Sequence, residues 1–194
     1  MKKMFSGIAA AAMMVVLLAG CSQVPTTETE KANASMEAAK TVEADRYLSA
    51  EFTALTDSLT AVMAAIEAEK VKSSGSRNYK PFAEKLTWIA ENADSLAVQT
   101  ETVKAEMRVA VEEQMAGLTA VIAQNKDVIS KMVKTPANAA QVENMTDQVT
   151  MIEAAITEIN TLVANGDYLT AHQKVVAAQE MSTNAFAGLV PAVQ

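Results

Sequence analysis

Residues 142–163 read VENMTDQVTMIEAAITEINTLV, and within them Val142, Met145, Val149, Ile152, Ile156, Ile159 and Val163 recur at alternating steps of three and four. That spacing returns an apolar side chain to one face of a helix on every turn, the heptad pattern of a helix buried along a narrow seam. Both ends are marked. Thr135-Pro136-Ala137-Asn138 precedes the stretch, and proline both breaks a helix and disfavours helix at the residue before it. Asn165-Gly166-Asp167 follows it, a glycine suited to end one helix and an aspartate suited to cap the next. The last helix of the chain is therefore predicted from about Tyr168 to Ala187, before Pro191, with a seam of Ala171, Val175, Ala178, Ser182, Ala185 and Leu189. Such small side chains let its axis approach a larger partner face closely.

Working back toward the N-terminus, Leu48, Phe52, Leu55, Leu59, Val62 and Ile66 form another seam. It predicts one helix over about 32–72, roughly 60 Å long, stopped by Ser73-Ser74-Gly75-Ser76. Pro81 then stands where a first-turn proline belongs, and a second helix carries Phe82, Leu86, Ile89, Ala93, Leu96, Thr100, Val103, Met107 and Ala110. Past Met107 the seam moves to Val111, Met115, Leu118, Ile122, Asn125, Ile129 and Met132, a drift that resembles a stutter. With Gly117 at the drift, a bend or break is expected near 110–118. Thr100 and Asn125 take seam positions where leucine would be more stabilising. Either they fix register or partner number, or Thr100 turns its methyl inward and Asn125 sits at a frayed end.

The fold class read from these seams is all-α: antiparallel helical hairpins forming an elongated coiled-coil-like bundle of about four helices. Composition agrees, since 194 residues with 4% aromatics, six glycines and four prolines supply few of the strands and turns that a sandwich or barrel needs. One cysteine and one histidine exclude a disulfide scaffold and a Cys/His zinc module. A formal net charge of -7 repels nucleic acid and anionic membrane surfaces, so no nucleic-acid partner is expected.

The first 21 residues concern location. Lys2 and Lys3 precede a continuous apolar run from Ile8 to Leu18, which reads as a secretory signal and is too short to cross a hydrocarbon core of about 30 Å. Leu18-Ala19-Gly20-Cys21 resembles the lipobox of bacterial lipoproteins. The resemblance implies cleavage between Gly20 and Cys21, diacylglycerol on the Cys21 sulfur and fatty acyl chains such as palmitate, which anchor the protein to a membrane. Each buried methylene contributes about 0.8 kcal/mol, so two or three chains anchor almost permanently. An ordinary cleaved signal followed by a coincidental cysteine is the alternative. Loss of residues 1–20 takes away two lysines and no acid, leaving a mature charge of -9. Ser22 after the cysteine resembles the sorting residue of outer-membrane lipoproteins, so the expected location is the cell envelope, at the outer membrane facing the periplasm.

The domain reading is a signal peptide at 1–20, a lipidated tether at 21–31, a first long hairpin at 32–134 and a second hairpin at 135–194 packing on it. The tether, SQVPTTETEK after Cys21, is polar and without hydrophobic periodicity. Arg77-Asn78-Tyr79 and Gly166-Asp167-Tyr168 place a turn, a polar cap and a tyrosine in the same order, an echo that fits either tandem hairpins or two amphipathic helices aligned by chance. Gly166, Asp167, Tyr168, Ala171 and Ala178 also resemble the second half of a tetratricopeptide motif. With one partial copy this implies a shared hairpin turn and no peptide-binding array. In whole-chain layout the sequence is similar to small alanine-rich helical-hairpin envelope lipoproteins carrying a domain of unknown function. It differs from murein-linked lipoproteins, whose terminal lysine joins peptidoglycan, because it ends Val190-Pro191-Ala192-Val193-Gln194.

No catalytic, cofactor-binding or metal-binding residue is assigned. His172 lies beside a small-residue seam with no acid at ligand spacing, and the adjacent Glu112 and Glu113 point about 100° apart on a helix. Trp88 is either an exposed anchor for a partner or a partly buried packing residue. The twelve methionines are too scattered for a metal site. The functional expectation is a non-enzymatic, membrane-anchored periplasmic scaffold or interaction module with an envelope protein partner, homo-oligomerisation through the seams being open. The alternative is a chaperone-like or ligand-binding lipoprotein that holds an apolar client between hairpins. An unpaired apolar stripe on the second helix past Met107 would favour the client; a covered one would favour the scaffold.

Overall fold

Between Lys80 and Lys131 the chain has one proline, Pro81 in the first turn, and one glycine, Gly117, so little interrupts helical hydrogen bonding. In a computed structural model, which describes residues 23–186, that stretch is a single helix of 52 residues, about 78 Å long. Around it lie five other α-helices and one 3-10 turn, and among the described residues there is no strand. In chain order the helices are α1 (Thr26–Thr41), α2 (Ala44–Tyr47), α3 (Ser49–Lys70), α4 (Lys80–Lys131), α5 (Ala139–Ala164) and α6 (Tyr168–Phe186). Gly20, Cys21, Ser22 and the rest of the signal and lipobox lie outside the described residues, as do Leu189 and Pro191.

The long helix α4 is shared between two cores. Its N-terminal half buries Leu86, Ile89, Ala90, Ala93 and Leu96 with Leu55, Val62 and Ile66 of α3 and Ala32, Met36 and Ala39 of α1. Its C-terminal half buries Val111, Met115, Leu118 and Ile122 with Val149, Ile152 and Ile159 of α5 and Ala171, Val175 and Ala178 of α6. The seam drift falls between these sets. Between Thr100 and Val111, about 16 Å of helix, no α4 residue is fully buried, since the first core ends at Thr100 and the second begins at Val111. The stutter therefore marks a change of partner, and the expected break near 110–118 is not found. Gly117 is exposed there, and its cost of about 1 kcal/mol in a helix interior is too small to break a helix pinned by Val111, Met115 and Leu118.

Two further expectations need correction. The tether does not run to residue 31, because α1 begins at Thr26. Thr29 donates its hydroxyl to the Pro25 carbonyl at 2.7 Å, Glu28 suits the positive N-terminal end, and Ala32, Ser35, Met36 and Ala39 bury one stripe against α4. Nor is 32–72 one helix. Glu43 takes a left-handed conformation with φ 69°, and Leu48 departs from helix at φ -132°, ψ 51°, leaving α2 as a separate single turn.

The α5–α6 turn forms as its residues predict. Gly166 has φ +79°, its amide donates to Val163 O at 3.0 Å, and the Asp167 amide donates to Leu162 O at 2.9 Å. A Cβ at either Gly117 or Gly166 would meet nothing within 4 Å, so backbone conformation alone decides what alanine does at each. Gly117→Ala is expected to stabilise the protein by about 1 kcal/mol, and Gly166→Ala to destabilise it by about 1–2 kcal/mol. Urea midpoints of the two variants check this; a shift of the same sign in both would refute it.

Candidate functional site

The most elaborate arrangement of polar groups lies where the two cores meet. Left-handed Glu43 places its carboxylate between two cations: Arg46, three residues on, donates Nη1 to Oε1, and Lys104 of α4 donates Nζ to Oε2 at 2.8 Å. The other end of the Arg46 guanidinium, Nη2, lies 2.8 Å from Oδ1 of Asp167, in the turn before α6. Oδ1 of Asp167 also accepts the Thr170 amide at 3.3 Å, the ordinary duty of a helix N-cap. The next open amide, that of Leu169, donates to the Tyr47 phenol oxygen at 3.2 Å. Both Arg46 and Lys104 lie within 6 Å of the Tyr47 ring centroid, at 5.9 and 5.5 Å. Thus α2, the Glu43 turn, the bare middle of α4 and the α5–α6 turn converge on one cluster.

Beside the cluster is an open cleft of roughly 420 Å³. Glu101, Lys104, Ala105 and Arg108 line it from α4, and Glu43, Asn165, Gly166 and Tyr168 complete the lining. The charged groups are fixed in their usual ionic states. The hydrogen bond from Lys104 draws the Glu43 carboxyl below its ordinary range against the opposing effect of burial, with Arg46 adding to it. At Asp167 burial pushes the carboxyl up, but the hydrogen bonds from Arg46 and Thr170 together outweigh it and the net shift is downward. The bond to Glu43 raises Lys104, and those to Asp167 and Glu43 raise Arg46. Each shift favours the charged form, so the cluster is a set of mutually stabilised ion pairs.

A separate carboxylate, Glu69, closes the α3–α4 turn by accepting the Asn78 amide at 2.8 Å and Lys72 Nζ at 2.7 Å, which keep it below its ordinary value. The sign of the pH dependence follows. Carboxylates held low contribute stability that is full above their unfolded values and is lost as pH falls through their folded ones. The melting temperature is expected to be nearly flat from pH 7 to about 5 and to fall below about pH 4. Asp167→Asn should flatten part of that fall. An unchanged acid limb in that variant would show that the ion pair contributes nothing to stability.

His172 is half-buried on α6, and Glu112 and Glu113 are exposed, Arg108 reaching Glu112 only at 3.9 Å. Trp88 is 44% exposed, with the Lys85 ammonium 3.7 Å from its ring centroid. Thr100 is fully buried and donates its hydroxyl back to Leu96 O at 2.8 Å, which satisfies it within its own helix. Asn125 is buried well before the end of α4 and donates Nδ2 to Ser182 Oγ on α6 at 3.1 Å, a contact between helices. In the two echoed turns, Asn78 accepts the Lys80 amide at 3.2 Å much as Asp167 accepts that of Thr170, but Tyr79 is buried in the first core while Tyr168 lines the cleft. Reasoning from sequence missed Arg46, Tyr47 and Lys104, whose partners lie far along the chain.

Among the described residues no group of three or more His, Cys, Asp or Glu side chains is placed to hold a metal ion. Nor is any described helix long and apolar enough to cross a membrane. No protein-family model, curated protein or solved structure matches this chain.

Proposed function

We propose that this chain is a non-enzymatic, lipid-anchored envelope lipoprotein that serves as a periplasmic helical scaffold or interaction module, held through Cys21 at the outer membrane. The observation that carries the scaffold reading is the covered seam of α4 past Met107. Val111, Met115, Leu118 and Ile122 are all buried against α5 and α6, so the stripe that an apolar client would need is already occupied. In this reading successive helices run antiparallel and build an elongated coiled-coil-like bundle along α4. Because α1 starts at Thr26, the five residues from Cys21 to Pro25 reach at most about 17 Å when extended. The body then stands closer to the lipid head groups than a tether running to residue 31 would place it.

In vivo crosslinking followed by purification from envelope membranes tests this, with wild type compared to Cys21→Ala. Capture of one defined envelope protein, at fixed stoichiometry and only by the wild-type chain, is the expected result. Recovery of many unrelated unfolded proteins, or of a small apolar ligand, would overturn the scaffold in favour of a client-holding role.

A further inference from the structure

We propose that α2 is a conformational latch: one helical turn belonging to the N-terminal half of the molecule caps the last helix of the C-terminal half and couples the two.

The main contacts of α1 and α3 are with α4 and α2, whereas those of α5 and α6 are with each other and with α4. Among the described residues, the side-chain hydrogen bonds that join the α1–α3 segment to the α5–α6 segment without passing through α4 are Arg46 to Asp167 and Leu169 to Tyr47. Both start from adjacent residues of α2. Both end on the first turn of α6, where unpaired amides and the cap aspartate need partners. The Asp167 side chain supplies the Thr170 amide, and the phenol oxygen of Tyr47, 122 positions away in sequence, supplies that of Leu169. Half of this helix cap is therefore provided by the other half of the protein.

The helix that receives the cap depends on it more than its neighbours would. Its buried seam is Ala171, Val175, Ala178 and Ser182, which contributes little apolar area per turn. The turn that gives the cap is held under strain. A non-glycine residue at φ 69° is an unfavourable conformation that persists only where the surroundings impose it. Glu43 stands just past the C-cap of α1, where its amide donates to Lys40 O at 2.8 Å, and Lys104 and Arg46 grip both oxygens of its carboxylate. Releasing Arg46 from Asp167 or Tyr47 from Leu169 leaves α2 held by the contacts of Glu43 alone, so the direction of the turn is less firmly fixed. The stretch of α4 between Thr100 and Val111 lies between the two cores without a fully buried residue, and Lys104 within it ties α4 to the same Glu43 turn.

Hydrogen exchange of the full chain at neutral pH, read by mass spectrometry, tests the latch. Asp167→Asn keeps an oxygen for the Thr170 amide but loses the ionic pairing with Arg46. Tyr47→Phe removes one oxygen and nothing else. Each is expected to raise exchange roughly fivefold, the factor that one ordinary hydrogen bond is worth, at both residues 42–48 and residues 168–172. Exchange in residues 149–159 should stay as in wild type, which confirms that the variants fold. Because coupling is reciprocal, each substitution must act on the segment it does not occupy, and the double variant should exceed the larger single effect by little. Faster exchange confined to the mutated segment, or none at either, would overturn the proposal. None of these outcomes depends on lipidation or on the identity of a partner.

Discussion

Truncating Ile159 to alanine is expected to lower stability by about 2–5 kcal/mol, the range for removing a branched aliphatic side chain from a packed core. Ile159 is fully buried where α5 meets Val111 and Met115 of α4 and Ala171 and Val175 of α6. The hole left by three lost carbons would be lined by three helices that are each pinned elsewhere, so collapse around it is limited. Met115 is the exception. Its unbranched side chain can swing into part of the space, which sets the expected value in the lower half of the range. For a chain of this length each kcal/mol moves the melting temperature by about 2–4 °C, so a fall of roughly 5–12 °C is expected by circular dichroism or calorimetry. Met151→Ala on the same helix, 55% exposed, should change stability by no more than about 0.5 kcal/mol. Equal shifts for the two variants would mean that α5 is rotated from the register described.

The seam that contains Ile159 shows what kind of information sequence carries here. Val142, Met145, Val149, Ile152 and Ile159 are all buried, because large aliphatic residues at steps of three and four leave one face to hide and a helix has only one way of hiding it. Pro81 and Gly166 were legible for the same local reason, each being the residue whose backbone suits its position. The first turns of α1, before residue 32, were hidden by chemistry. The helix's buried stripe of Ala32, Ser35, Met36 and Ala39 contrasts little in hydropathy with its exposed face, and its burial comes from close approach to α4 instead of from large apolar area.

The left-handed Glu43 and the single turn after it were illegible for a different reason. Residues 41–48 contain neither glycine nor proline, so nothing local interrupts the expected helix. The long-range partners of the bent segment are Lys104, 61 positions beyond Glu43, and Asp167, 121 positions beyond Arg46. Charges at such separations have no periodicity to betray them. The same holds for α4, where the drift of the seam was visible but its meaning was not. A stutter and a change of packing partner leave the same trace in sequence, and only the position of α5 and α6 distinguishes them.

Asn125 and Ser182 give the second large effect, and its sign depends on which partner is removed. Asn125→Ala would leave the Ser182 hydroxyl almost fully buried between α4 and α6 with its cross-helix partner gone, at an expected cost of about 1–3 kcal/mol. Asn125→Leu combined with Ser182→Ala removes both polar groups and fills the space with carbon, so the pair should melt at or above the wild-type temperature. Stability is then the wrong measure of what the bond does. The seam of α6 is nearly featureless, with alanine at 171 and 178 and valine at 175, and a helix with small residues along one face can slide on its neighbour at little cost in packing. One buried hydrogen bond at a defined height along α4 penalises every other register, as a polar residue in a heptad seam does. The double variant is therefore expected to show a midpoint no lower than wild type together with several amide resonances for single residues of α6. A single sharp set of resonances in that variant would mean that the Asp167 cap, and not the buried pair, sets the height of α6 on α4.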